Sequence, residues 1–145
     1  MKKAVAKKIN TKARDKFLSK ILTFSYWQKK NNPMENFLKG EYDIYHFEDM
    51  DVHVAKQCVI RGWLDLNEKQ NDSPTVGEII KFMESNPSFS AHGYIVSGNR
   101  EDTRISFEGV KATMTPEKHE IVNYIDMFRT ADEFDAEFPF RAWFD

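Results

Sequence analysis

Two stretches of helical periodicity and four of strand-like alternation, in the order β, α, β, β, α, β over residues 57–145, predict an α+β fold of ferredoxin-like βαββαβ topology. A lysine-rich amphipathic helix over residues 11–32 precedes this core and is expected to dock on it. With 145 residues and 41% hydrophobic content, the chain can build one cored domain and is too short for two.

Residues 1–10 carry Lys2, Lys3, Lys7 and Lys8 with little to bury, and read as a mobile basic arm. From Thr11, a candidate N-cap, residues Phe17, Leu18, Ile21, Leu22 and Phe24 form one apolar stripe, while Lys12, Lys16 and Lys20 stand at i, i+4, i+8 on another face. Asn31, Asn32 and Pro33 end this helix. A short helix is expected over 34–38, and the run EYDIYHFEDMDVHV that follows has no clear period. Residues 58–66 alternate like a strand, with Cys58, Ile60 and Leu64 on the apolar side.

Thr75 and Glu78 form a capping box ahead of Val76, Ile79, Ile80 and Met83, and Asn86 and Pro87 close that helix. Residues 91–97 and 103–112 read as a hairpin around the turn 98–102. Thr115 and Pro116 open the next helix, whose buried face is Ile121, Tyr124, Ile125 and Phe128, and Thr130 with Glu133 caps a short continuation through Phe134. The chain ends on FPFRAWF, an alternating strand. A strand order of 4, 1, 3, 2 puts it at an edge, where Pro139 is tolerated.

Alternation also nominates a surface. RGWLD at residues 61–65 and RAWFD at 141–145 would lie on neighbouring strands, sending Arg61, Trp63, Arg141 and Trp143 to the face away from the helices. Arg104, Ser106 and Glu108 of the third strand join them there, while Ile105 and Phe107 point toward the helices. Tryptophans and arginines on a sheet face suit stacked bases and phosphates. The competing reading is structural: the N-terminal helix covers this face and buries Phe17, Ile21 and Phe24 against the two tryptophans.

Charge divides the chain. Residues 1–40 hold ten Lys and one Arg against Asp15 and Glu35, whereas residues 41–145 hold ten Lys and Arg against twenty-one Asp and Glu, a net +9 against −11. The basic side fits phosphates, so Lys2, Lys3, Lys7, Lys8, Lys12, Lys16 and Lys20 are candidate contacts beside the Arg and Trp residues. GWLDL at 62–66, followed by an acidic stretch and a helix, resembles the corresponding segment of ArdA-type antirestriction proteins, over about five residues. Those proteins mimic DNA, and the acidic balance of residues 41–145 makes a DNA-mimicking inhibitor physically reasonable here, since ordered carboxylates can occupy a site built for phosphates. The basic N-terminus departs from that pattern.

No apolar run nears the roughly 18 residues that read as a membrane-spanning helix, and MKKAVAKKIN lacks the apolar core and cleavage site of a secretory signal, so a cytoplasmic protein is expected. The single cysteine, Cys58, reads as a small buried hydrophobe. HFEDMDVH gathers His46, Glu48, Asp49, Asp51 and His53, which as an extended segment could face a divalent metal or as a loop simply be solvated. No cofactor or metal is assigned, and no hydrolase, phosphate-loop or dinucleotide motif is present. The expectation is a binding protein rather than an enzyme, with nucleic acid or a nucleic-acid-handling protein as partner; the oligomeric state is not specified by the sequence.

Overall fold

The computed structural model describes residues 2–24, 29–30 and 33–145, with side chains from residue 11 onward. It is a mixed α+β arrangement of α1 (Lys2–Ile21), α2 (Met34–Leu38), β1 (Ile44–Met50), α3 (Val52–Ile60), α4 (Val76–Ser85), β2 (Phe89–Val96), β3 (Arg104–Ala112), α5 (Lys118–Phe128), β4 (Glu133–Phe134) and β5 (Ala142–Trp143). The strands form one antiparallel sheet in the order β1-β2-β3-β5-β4.

The expected first strand is a helix. Asp51 caps α3 by accepting from the Val54 amide at 2.9 Å, and Ala55 and Cys58, three residues apart, face the core. The other end closes as a Schellman turn: Gly62 takes φ +76°, its amide donates to Val59 O, and the Trp63 amide donates to Cys58 O. Ile60, assigned inward by the alternation, is 77% exposed. RGWLD is therefore a helix terminus and RAWFD contains a strand, so their similarity does not make them neighbours.

Helix α1 runs over Lys2–Ile21 rather than residues 11–32, of which 25–28, 31 and 32 lie outside the described residues, and three further boundaries move. EYDIYHFEDMDVHV contains β1, whose period is broken by a register shift between Phe47 and Met50; Tyr45, Phe47 and Met50 all point inward. The last helix starts at Lys118 rather than at Thr115, because Glu120 folds back onto the Glu117 amide at 3.0 Å. Residues 133–134 form β4 instead of continuing that helix. The last strand lies between β3 and β4, so the order departs from the ferredoxin-like 4, 1, 3, 2 and the strand is not at an edge. Pro139 sits ahead of it, after a cis Phe138-Pro139 peptide, with its carbonyl accepting from the Ala112 amide.

One core gathers on the helical side of the sheet. Tyr45, Phe47, Ile95, Ile105 and Phe107 pack with Leu18, Cys58, Ile79, Met83 and Phe128. Phe89 stacks on Tyr124 at 5.2 Å, and Phe82 meets Phe128 edge-on at 5.0 Å. The described end of α1 belongs to this layer too: Leu18 and Leu22 are buried, and Phe24 beyond it lies against Tyr45 at 4.5 Å. Helix α1 thus does not cover the opposite sheet face, and Ile21, expected in its buried stripe, is exposed. Arg14 is buried and ties the helix to the hairpin, donating to Val96 O at 2.8 Å and to Thr103 Oγ1 at 3.2 Å.

Candidate binding face on the sheet

Strand alternation fixes which side chains leave the core, and one bulge adjusts it. His92 pairs with Gly109 and Gly93 with Phe107, which makes Glu108 the extra residue of β3. Beyond it the inward positions shift by one, so Val110 and Ala112 are buried while Lys111 turns outward. The outer face then holds two rows. His46, Tyr94 and Ser106 align across β1, β2 and β3, and His92, Gly109 and Trp143 align across β2, β3 and β5.

The first row is a hydrogen-bonded plate. Arg104 donates from Nη2 to Tyr94 Oη at 3.0 Å and from Nε to Ser106 Oγ at 2.9 Å, and Ser106 Oγ donates to Glu68 Oε1 at 3.2 Å. The Arg104 guanidinium lies 5.5 Å from the Tyr94 ring centroid, and the His46 and Tyr94 ring centroids are 5.8 Å apart. Burial works against the Arg104 charge, but its bonds to Tyr94 and Asp102 and the charge of Glu68 raise its pKa overall.

Between the two rows lies a hollow of about 200 Å3 lined by His46, Phe47, Glu48, His92, Gly93, Glu108 and Arg141. Glu108 Oε2 accepts from Trp143 Nε1 at 2.9 Å, and its Oε1 lies 3.5 Å from His46 Nδ1. Burial pushes the Glu108 carboxyl upward, yet the His46 and Trp143 contacts prevail and hold it below the ordinary carboxylate value. Glu48 follows the same logic, its burial being outweighed by a 2.9 Å bond from Lys111 Nζ. His92 is 3% exposed, and its Nε2 lies 2.7 Å from Ala142 O. A carbonyl only accepts, so Nε2 carries the proton and Nδ1 is the acceptor. Burial, aided by the Arg141 charge, lowers the His92 pKa to about 4, so the ring is neutral near pH 7.

No protein-family model, curated protein or solved structure matches this chain.

The nominated residues divide into three groups. Arg104, Arg141 and Trp143 do share the outer face with Glu108. Arg61 and Trp63 do not: Trp63 is buried against Phe17 at 5.7 Å, and the Arg61 guanidinium caps the Phe17 ring at 4.6 Å, all within the helical layer. Lys12, Lys16 and Lys20 are exposed on α1, while the side chains of Lys2, Lys3, Lys7 and Lys8 lie outside the described residues. The carboxylates of HFEDMDVH are already engaged, with Asp49 accepting from the Thr23 amide, Asp51 capping α3 and Glu48 paired with Lys111. Among the described residues no group of His, Cys, Asp and Glu is arranged to hold a metal ion. Cys58 is buried, and desolvation pushes its thiol up to about 11, which leaves it unreactive in the native fold.

In the sequence His46 and Glu48 stood out only as possible metal ligands, and His92, Tyr94 and Lys111 were not placed on this face. For Tyr94 and His92 the signal was present, because Tyr94 pairs with the outward Ser106 and His92 lies two residues from it along the same strand. For Glu48 and Lys111 it was hidden by the two register shifts.

Proposed function

We propose that this protein is a non-catalytic binding module that holds single-stranded nucleic acid on the outer face of its sheet. The observation that carries the reading is the interleaving on that face of the rings of His46, Tyr94 and Trp143 with the cations Arg104, Lys111 and Arg141. Rings accept bases by stacking at about 1 to 3 kcal/mol each, and cations beside them meet the phosphates. The lysines of α1, Lys2, Lys3, Lys7 and Lys8 among them, would extend the phosphate track, which gives the chain's basic third a role that its core does not require.

Anisotropy with fluorescent single-stranded oligonucleotides tests this. Affinity is expected to fall as salt rises, and Tyr94→Ala is expected to weaken binding by about tenfold, within the range of one lost stack. Binding that is insensitive to both would defeat the proposal. A second reading, an acidic DNA mimic that inhibits a nucleic-acid-handling protein, is favoured by the exposed carboxylates of Asp126, Asp132, Glu133, Asp135 and Glu137. It would be supported by a stoichiometric protein complex that DNA competes away, with no oligonucleotide binding by the protein alone.

A further inference from the structure

We infer that the hollow beside the β3 bulge is a base-reading subsite selective for guanine, an inference that rests on the nucleic-acid reading above. The hollow, about 200 Å3, is smaller than the roughly 300 Å3 at which drug-sized pockets begin, so it suits one planar ring system. Its polar lining is dominated by acceptors. Glu48 and Glu108 line it beside His92, whose Nδ1 has no hydrogen-bond partner among the described residues. A buried acceptor of that kind needs a donor from the occupant. The one fixed cation of the lining is Arg141.

The donor and acceptor pattern selects the base. A free phosphate is disfavoured by two carboxylates in the same hollow. Uracil offers a single ring N–H, and adenine and cytosine offer one amino group each. Guanine alone presents two adjacent donors, N1–H and N2–H2, on its Watson–Crick edge, matching the two oxygens of a carboxylate. On its other edge O6 and N7 are acceptors, the pair that an arginine grips. Glu108 keeps room for this, since a carboxylate has about four lone-pair sites and Trp143 and His46 take two of them. Both carboxylates are held ionised and His92 neutral, which keeps the acceptor pattern intact near pH 7. Tyr94 and His46 at the rim supply rings for the neighbouring nucleotides.

The experiment compares labelled single-stranded RNA heptamers that are all uridine except for a central guanosine, inosine, adenosine, cytidine or uridine. The guanosine heptamer is expected to bind about tenfold more tightly than the adenosine or uridine one, and inosine, lacking N2–H2, should fall between. In Glu108→Gln and Glu48→Gln the guanosine-to-uridine affinity ratio should move toward unity. Because a ratio within one variant is read, partial loss of folded protein does not mimic the effect. Equal binding of all heptamers, preference for another base, or an unchanged ratio in both variants overturns the subsite and leaves the sheet-face reading standing. Failure of every heptamer to bind overturns both.

Discussion

Gly93 and Gly109 sit beside the bulge because nothing larger fits. A Cβ on Gly93 would lie 1.9 Å from Ser106 O, and one on Gly109 1.9 Å from Ala142 O, each against the backbone of the adjacent strand. Gly109 also has φ +157° and passes beneath the His92 ring. Gly109→Ala is expected to cost about 3 kcal/mol or more, seen as a lower urea midpoint, because rigid strands rather than flexible side chains must part. His92 makes a separate prediction. Its pKa is about 4 in the folded protein against 6.5 in the unfolded chain, so the unfolded chain takes the proton first. Stability should be fully present above pH 6.5 and decline as pH falls toward 4, by on the order of 3 kcal/mol. A melting series should show a shallower decline for His92→Gln over that window, and parallel curves would refute the assignment.

Elements were legible where their signals are local. Thr75 and Glu78 form their capping box as read, with the Glu78 amide donating to Thr75 Oγ1 at 3.2 Å, because both partners lie within one turn. Helix α3 was misread because Cys58, Ile60 and Leu64 satisfy a period of two while Ala55 and Cys58 satisfy helical spacing. Asp51 and Gly62 decide between the two, as N-cap and as the left-handed stop. The start of α5 was misplaced for a tertiary reason. Glu120, buried at its first turn, accepts from the Ser88 amide at 3.0 Å and from Ser88 Oγ at 2.8 Å, 32 residues away in sequence. Burial raises its pKa, and the Glu117 and Ser88 bonds more than reverse that. Glu120→Ala is expected to cost about 2 to 3 kcal/mol by chemical denaturation, since it orphans the Ser88 amide and a helix-start amide together.

For the whole molecule, the two tryptophans that looked equivalent have different roles. Trp63 → Ala removes a buried ring from the contact with Phe17 and should cost about 3 to 5 kcal/mol of stability. At a temperature where the variant remains folded, its oligonucleotide affinity should match the parent, because Trp63 lies on the helical side of the sheet. A specific loss of affinity would place the binding surface elsewhere.

By itself the sequence determined the α+β class, the hairpin, the α4 capping box and the outward set Arg104, Ser106 and Glu108, because periodicity and caps act over a few residues. Tertiary structure decided what depends on distant partners. It inserted β5 between β3 and β4, set α1 on the core side through Arg14 and Val96, 82 residues apart, and shifted two strands by a bulge. A strand's neighbour is chosen by which backbone edge and apolar face remain unsatisfied once other elements have packed, and no window of adjacent residues contains that information.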